Sequence, residues 1–447
     1  MTTGKGPLPR LKLALAAVGP GLFLIGYNIG TGSVMTMATS GAEHGMSLFW
    51  ALLLSCVFTF VLMVAYGQLT LVTGHTALFN FKTQFKWGKC LALYILVAVI
   101  IGELLALMGI MGIVADLLQD GLLRIGLPFV HPFWIILVIV AALYTMLWYG
   151  RYQLFEKVLT VCVILMGFCF TVVFFMVKPD FAAIVAGLVP RVPNGAFGLV
   201  AAMAGTTCSA ALFIIRSTVV AEKGWTIDHL SSEKRDALVS ATVMLFLSGI
   251  IMAVAAGTLH VKGLKLVDTV DMIHLFEPLG GKIAAFILII GITGAGLSTV
   301  FPIVLIAPWV ICDYRGQARD IHSPLFRILM LVGILFGFGM VFMEQRPPAL
   351  MIFSQAFQAC ILPGVAIPAF ILLNRTQLMK NRRPGAIMNV GLIAVILFSL
   401  ITTGFALVEL FQARSRTSLN ESFSDARFLR KSTCLKAMPS KNSKSSA

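Results

Sequence analysis

Apolar stretches long enough to cross a lipid bilayer recur along the whole chain, and only short loops separate them. An α-helix needs about 20 apolar residues to span the hydrocarbon core, and a scan at that length finds eleven candidates. These spans are residues 12–44, 46–73, 91–118, 132–150, 153–177, 195–221, 237–260, 281–311, 324–343, 349–373 and 386–411. Because no segment between them is long enough to fold alone, we predict an all-α, multi-pass integral protein of the cell or inner membrane.

The composition supports this prediction and excludes several classes of function. Charged residues make up 12% of the chain, which is about half of the roughly 25% found in soluble domains. The net charge of +15 would suit nucleic-acid binding, but the basic residues lie in short loops and in the last 36 residues. We therefore expect a lipid-embedded protein that binds no nucleic acid.

Motifs typical of enzymes and of structural metal centres do not occur in the sequence. The eight cysteines form no CxxC pair and mostly lie inside apolar runs, where a cysteine usually packs as a small hydrophobic residue. Neither HExxH nor GxSxG is present, and no cluster of His and Asp replaces them. We expect no disulfide framework, no cofactor and no catalytic activity.

Basic residues in the loops predict the orientation of the chain. With the N-terminus in the cytoplasm, the cytoplasmic loops receive 18 Lys and Arg and the external loops receive seven, as the positive-inside rule requires. We predict a transmembrane domain over residues 1–411 and a disordered basic tail over 412–447, because the tail is rich in Ser and poor in aromatic residues. An odd number of spans places this tail outside, although it carries eight Lys and Arg.

Two spans contain residues that disfavour a helix in the middle of the membrane. Gly26, Gly30 and Gly32 fall within seven positions of the first span, and each costs about 1 kcal/mol relative to Ala in a helix. The sixth span carries Gly-Thr-Thr-Cys-Ser over residues 205–209, at a comparable depth. We predict that both helices are broken at these places.

Paired broken helices about five spans apart indicate a secondary transporter built from inverted repeats. Unwound backbone is tolerated in lipid only where it packs on protein or lines a watery cavity, so its carbonyl groups are placed to hold a substrate. We predict repeat one at residues 12–177, repeat two at 195–373 and an extra helix at 386–411. The alternative is that these glycines only permit close packing between helices.

Several motifs resemble one transporter family. They are Gly19-Pro20-Gly21, Gly30-Thr31-Gly32-Ser33, GAEHGMSLFW at 41–50, RYQLFEK at 151–157, AGLST at 295–299, and Ser354-Gln355 with Leu362-Pro363. In these motifs the chain is similar to the Nramp divalent-metal transporters, and the similarity covers nearly all of residues 12–411. The resemblance implies eleven or twelve helices in a LeuT-type inverted repeat that moves divalent metal inward, commonly together with protons.

The sequence departs from the family pattern at the metal site. The ungapped match places Gly30 and Ser33 where the family has its metal-binding Asp and Asn. It places Ser209 at the start of the family's Met-Pro-His motif, and Thr206 at the Ala whose carbonyl approaches the metal. Bare transition metals require carboxylate, thioether or imidazole ligands, so this pattern predicts a site of neutral oxygens, and the metal ligands stay unassigned. Cys208 is the one soft atom nearby, with packing as its alternative role.

The candidate substrate-binding residues share a place at or near a predicted break, or in the Ser-Gln motif of the tenth span. They are Asn28, Gly30, Ser33, Thr206, Ser209 and Gln355. For Asn28, hydrogen bonding between helices is the favoured alternative, as it is for Gln358 in the tenth span.

Two charged residues inside the spans are candidates for coupling. Glu103 lies in an entirely apolar stretch of the third span, where a carboxylate costs about 2.5 to 3.5 kcal/mol and marks a functional site by default. The resemblance places it at an Asp of the family's proton route and places Arg216 at a family His. The alternatives are that Glu103 is protonated and hydrogen-bonded within the bundle, and that Arg216 pairs with Glu103 or with another acid of the bundle.

These features together predict a secondary active transporter of the Nramp-like class that moves a metal cation across the lipid bilayer. Mg²⁺ carried with much of its hydration shell is one candidate, because this ion gives up water reluctantly. The alternatives are a transporter of another small polar solute and a non-transporting membrane sensor that retains the fold.

Overall fold

The computed structural model describes residues 30–149, 152–317, 322–343 and 346–436. All regular secondary structure in this part of the chain is helical. In chain order the α-helices are α1 (Thr31–His44), α2 (Phe49–Thr73), α3 (Ala77–Gln84), α4 (Gly88–Arg124), α5 (Pro132–Tyr149), α6 (Tyr152–Val177), α7 (Phe181–Ala186), α8 (Phe197–Thr207), α9 (Ala210–Glu222), α10 (Leu230–Ala255), α11 (Gly281–Arg315), α12 (Pro324–Leu335), α13 (Pro347–Asn374), α14 (Thr376–Met379) and α15 (Ala386–Lys436). A π-helical turn, Ala256–His260, extends α10.

Hydropathy determines where these helices lie, and loop residues determine where they begin and end. α2 ends at Gly74, whose φ of 70° is left-handed and therefore favours glycine. The hydroxyl group of Thr76 accepts a hydrogen bond from the Phe79 amide and so caps α3. Ser323 caps α12 in the same way, ahead of Pro324 at the first helical position.

The prediction of an all-helical membrane protein is confirmed. Within the described residues, eight helical segments are long and apolar enough to cross a membrane, and two shorter apolar helices, Pro132–Met146 and Val163–Val177, accompany them. Each predicted span from residue 46 to residue 411 coincides with one or two of these helices. The total of eleven spans remains a prediction, because residues 12–29 lie outside the described part.

The last helix is longer than the predicted span. α15 continues past residue 411 to Lys436, into the segment that its composition predicts to be disordered. The sequence contains neither Gly nor Pro between Gly404 and Pro439, so nothing in it interrupts a helix that the membrane-spanning part has already nucleated. The disordered basic tail over residues 412–447 remains a prediction.

The central helix of the bundle is α13, which packs against α8, α4 and α15. The broken sixth span, α8 and α9, is buried along its whole apolar stretch. α1 packs against α10 and also contacts α8, α13 and α11. This arrangement gathers α1, α4, α8, α11 and α13 around one interior region.

Hydrogen bonds sort the loops onto two opposite faces of the bundle. On the first face they are Thr76 Oγ1 to Asp313 at 2.7 Å, Lys82 Nζ to the Tyr314 carbonyl at 2.6 Å, and Gln68 Nε2 to the Arg382 carbonyl at 2.7 Å. On the second face they are Trp50 Nε1 to the Arg191 carbonyl at 3.0 Å, Thr269 Oγ1 to Asp116 at 3.0 Å, and Arg346 to Asp268 at 3.2 Å. The first face gathers loops that the charge bias predicts to be cytoplasmic, and the second gathers predicted external ones. That the first face is the cytoplasmic one remains a prediction.

Candidate functional site

The sixth span is broken at Cys208 and Ser209. α8 ends at Thr207, the next two residues leave the helical conformation, and α9 begins at Ala210. The break is shorter than the predicted segment 205–209, because residues 205–207 remain helical. Gly205 has a different role: a Cβ atom at this position would lie 1.8 Å from the carbonyl oxygen of Gln355. This glycine permits close packing of α8 on α13, the alternative that the sequence left open.

The described part of the first span begins at its predicted break. Gly30 has extended backbone, with φ −92° and ψ −175°, and α1 starts at the next residue. The preceding half of the span lies outside the described residues, and so does Asn28. A Cβ atom at Gly30 would lie 2.2 Å from Oγ1 of Thr299 on α11. Thr299 therefore occupies the space that any side chain at position 30 would need.

The starts of α1 and α9 border one buried cavity of about 30 Å³. Its lining residues are Gly30, Gly32, Ser33, Glu103, Ala106, Ile110, Thr206, Ser209, Thr299, Ile303, Met351, Gln355 and Gln358. The cavity thus brings together every predicted substrate-binding residue except Asn28, and it includes the predicted coupling residue Glu103. The predicted roles of these residues remain to be tested.

Glu103 enters the cavity from α4 and is 2% exposed. The side-chain amide of Gln358 donates a hydrogen bond to Glu103 Oε1 at 2.6 Å. The Gln358 carbonyl oxygen accepts a hydrogen bond from Ser209 Oγ at 2.7 Å. A continuous hydrogen-bonded chain therefore connects the carboxylate on α4, through α13, to the break between α8 and α9.

Sequence reasoning missed Gln358, Thr299 and Met351 as cavity residues. For Gln358 the sequence predicts hydrogen bonding between helices, which is confirmed, but its position three residues after Gln355 also puts both amides on one face of α13. Thr299 belongs to the AGLST motif, which carried the family resemblance without a predicted role. Met351 lies one helical turn before Gln355 on the same face, and its place in an apolar run near the start of α13 does not distinguish it from the other methionines, which number 21 in all.

Arg216 lies away from the cavity, in a closed cluster of charges. It is seven residues beyond Ser209, which is about 10 Å along α9, and its side chain is fully buried. Its guanidinium group contacts Glu233 Oε1 at 2.8 Å and Asp236 Oδ2 at 2.5 Å, both from the first turns of α10. Pairing of Arg216 with Glu103 is therefore wrong, because α9 carries the arginine two turns beyond the cavity. The alternative of pairing with another acid of the bundle is correct.

A glycine of α2 makes room for this charge cluster. A Cβ atom at Gly67 would lie 2.1 Å from Glu233 Oε1, so the carboxylate packs directly against the backbone of α2. Glu233 and Asp236 are 0% and 3% exposed. The cluster joins α9 to α10 with its three charged groups held against one another, and buried charges of this kind are tolerated when they are paired.

The cavity does not have the ligand set of a soft-metal site. Within the described residues, no group of three or more His, Cys, Asp or Glu side chains could hold a metal ion. Cys208 is fully buried, and it is not among the residues that line the cavity. The cavity offers the hydroxyl and amide oxygens of its polar residues, one carboxylate and the thioether of Met351.

Comparison with known proteins identifies the family. The family described as Natural resistance-associated macrophage protein-like, Nramp, matches residues 21–409. The chain belongs to the Nramp family. The divalent metal cation transporter MntH of Pectobacterium carotovorum subsp. carotovorum (strain PC1) is 23% identical over 402 residues, which cover 86% of this chain and 92% of that protein. MntH of Klebsiella pneumoniae (strain 342) is 24% identical over 385 residues, covering 83% and 88%.

Solved structures support the same fold. A manganese transporter of Eremococcus coleocola, solved with an aromatic bis-isothiourea substituted compound, aligns with a TM-score of 0.68 and 16% identity over 96% of this chain and 95% of its own. Mhp1, a nucleobase-cation-symport-1 family transporter in a closed conformation, aligns with a TM-score of 0.58 and 14% identity over 87% and 92%. The predicted LeuT-type transporter fold with its Nramp relationship is confirmed.

Proposed function

We propose that this Nramp family member is a secondary transporter of a metal cation, and that Glu103 supplies the negative charge of its site. The observation that carries the proposal is the position of Glu103 in the same cavity as Gly30, where the family pattern has an Asp. A carboxylate buried at this depth attracts a cation strongly, because the surrounding apolar bundle screens charge poorly. The negative charge is supplied by α4 instead of α1.

The donor set of the cavity favours a hard cation. Hydroxyl oxygens from Ser33, Thr206, Ser209 and Thr299 surround the space, with the amides of α13 on another side. Oxygen ligands suit Mg²⁺, Ca²⁺ and Mn²⁺, whereas copper and zinc sites draw on thiolate and imidazole. We therefore propose Mn²⁺, Mg²⁺ and Ca²⁺ as the ions to compare first.

The volume of the cavity favours a cation that has left most of its water. A single water needs about 10 to 15 Å³ of such space, so about 30 Å³ accommodates an ion with one or two waters. A fully hydrated Mg²⁺ is larger than this conformation allows. Pockets that bind drug-sized organic ligands have volumes of roughly 300 to 1,000 Å³, which makes such ligands much poorer candidates for the cargo than a metal ion.

Arg216 does not take part in proton transfer in this proposal. A guanidinium group remains protonated at any pH at which proteins fold, and two carboxylates already hold it. Any coupling to protons would therefore involve Glu103, which borders the cavity and can change its charge when a cation binds or leaves.

The experiment is a flux assay with the full-length protein in proteoliposomes. Uptake of Mn²⁺, Mg²⁺ and Ca²⁺ is compared for the wild type, Glu103→Gln and Asp116→Asn. Asp116 is the matched control, because it also lies on α4 but pairs with Thr269 at the second face. We expect Glu103→Gln to lose at least tenfold of the uptake rate and Asp116→Asn to retain it.

Two results would contradict the proposal. Binding of a cation without any flux would support the sensor alternative. Uptake that is equal in the wild type and in a well-folded Glu103→Gln variant would show that the carboxylate is only a packed core residue.

A further inference from the structure

A second cavity lies on the first face, far from the central one. It opens between the residues that lead into α4 and the end of α13, and its volume is about 410 Å³. Its lining residues are Gln84, Phe85, Lys86, Ile371, Asn374 and Arg375. We call this cavity the basic groove. None of its residues contributes to the central cavity, so it needs a separate explanation.

The two charged residues that line the basic groove, Lys86 and Arg375, are both positive. Residues 77–102 and 347–408, which supply all of its lining, contain no Asp and no Glu. Lys86 and Arg375 are exposed, and exposed Lys89 follows within one helical turn of Lys86. The Arg375 side chain donates a hydrogen bond to the Gln84 carbonyl oxygen at 2.5 Å, which fixes one cation beside the opening. Such a rim suits an anion.

Phe85 and Ile371 supply the apolar part of the groove's lining, and the surfaces of α4 and α13 that continue from it carry apolar side chains facing outward from the bundle. Ile371 on α13 is 46% exposed, and Leu93 and Tyr94 on α4 are 48% and 50% exposed. In a membrane, side chains of this kind contact acyl chains. Trp87, which is 74% exposed, lies between Lys86 and the first residue of α4, as aromatic residues do at the level of lipid headgroups. The groove therefore joins a cationic rim to a lipid-facing wall.

We propose that the basic groove binds an anionic phospholipid. Lys86 and Arg375 contact the phosphate of its headgroup, and the outward apolar side chains of α4 and α13 contact its acyl chains. Basic pockets between transmembrane helices bind anionic headgroups in this way. The apolar wall selects a phospholipid over free phosphate, because only the lipid fills both parts of the site.

The test measures lipid binding by the purified full-length protein in detergent. Phosphatidylglycerol, phosphatidylcholine and soluble glycerol phosphate are titrated separately, and bound lipid is counted by native mass spectrometry together with the shift in unfolding temperature. The groove variants are Lys86→Gln and Lys86→Gln with Arg375→Gln. The matched control is Lys262→Gln with Lys265→Gln, two exposed lysines of the second face.

We expect phosphatidylglycerol to bind and stabilise the wild type, with phosphatidylcholine and glycerol phosphate much weaker. The double groove variant should bind phosphatidylglycerol about thirtyfold more weakly. Each basic residue near an anionic headgroup raises the affinity about five- to sixfold, and the two losses multiply. Lys86→Gln alone retains the hydrogen bond of Arg375 to Gln84, so it should fold normally and lose part of the affinity.

Three outcomes would overturn the assignment. They are equal binding of phosphatidylglycerol and phosphatidylcholine by the wild type, an equal loss in the second-face control, and stabilisation by glycerol phosphate that matches that of the lipid. The last of these would identify the groove as a site for a soluble phosphate compound.

Discussion

The central cavity and the Arg216 cluster lie about two helical turns apart on the same broken span, yet the buried charges in them have opposite surroundings. In the cluster, one guanidinium group contacts two carboxylates directly, and one of these, that of Glu233, packs against the Gly67 backbone. In the cavity, Glu103 borders space and accepts a hydrogen bond from the side-chain amide of Gln358. An amide donor leaves the charge of the carboxylate in place, whereas the guanidinium group largely cancels the charges around it.

The contrast shows what separates a structural charge from a functional one inside a membrane. Both regions contain acids that sequence reasoning marks as costly and therefore notable. A charge with an opposite charge in contact stabilises the fold only as long as the pair is intact. A charge beside space and neutral oxygens can still gain free energy from a cation. The predictions below test this distinction, beginning with the largest expected effect.

Removing the cation of the cluster should have the largest effect on stability. Arg216→Met leaves Glu233 and Asp236 buried together without their partner, which costs about 3 to 5 kcal/mol. We expect little folded protein in fluorescence-detected size-exclusion chromatography. Combining Arg216→Met with Glu233→Gln and Asp236→Asn should restore much of it. A single variant that melts at the wild-type temperature would contradict the structural role of the cluster.

Adding a side chain at Gly30 in the first span should have the next largest effect, and this effect should be on transport. Gly30→Asp alone is expected to abolish uptake, because its side chain collides with Thr299. Gly30→Asp with Thr299→Ala should recover uptake and bind Mn²⁺ more tightly than the wild type, as isothermal titration calorimetry would measure. If the two substitutions act additively, residues 30 and 299 do not compete for the same space.

The amide bridge should have a smaller effect, and mainly on apparent affinity. Gln358→Met conserves volume but removes the bonds to Glu103 and Ser209, so the carboxylate is no longer held at the edge of the cavity. We expect KM for the transported cation to rise about five- to thirtyfold, with a smaller change in kcat, since each of the two lost hydrogen bonds contributes about 1 kcal/mol at most to cation binding. Thr145→Val, which removes a hydroxyl group of α5 outside the cavity, is the control. An unchanged KM would reduce Gln358 to a packing role.

The smallest effect should come from the one soft atom that lines the cavity. Met351→Leu removes a thioether at nearly constant volume, which usually costs less than about 1.5 kcal/mol in stability. We expect uptake of Cd²⁺ relative to Mg²⁺ to fall about two- to threefold, because sulfur favours the softer ion. An unchanged ratio in a competition assay would show that the sulfur does not contact the cargo.

The helices could be predicted from the sequence more accurately than the side-chain contacts between them. Hydropathy and length identified the helices, because a lipid-embedded chain has few other ways to satisfy its backbone. Residues that disfavour a helix predicted a break at 205–209 in the sixth span, and the structure has it at Cys208 and Ser209. The acids that pair with Arg216 could not be chosen, since Glu233 and Asp236 lie on a neighbouring helix and their distance depends on how α9 and α10 pack. Thr299 was missed for the same reason: its contact with Gly30 joins residues far apart in the chain.

The contact between Gly205 and the Gln355 carbonyl has a mechanical consequence. With no layer of side chains between them, the backbones of α8 and α13 are in direct contact at this point, so we expect the two helices to move together as one unit. α9 is tied to α10 through the contacts of Arg216 with Glu233 and Asp236, so these two helices form a second unit. The natural pivot for a rotation of α8 against α9 is then Cys208 and Ser209, the two residues between them that leave the helical conformation. The hydroxyl group at this pivot is the one that Gln358 connects to Glu103.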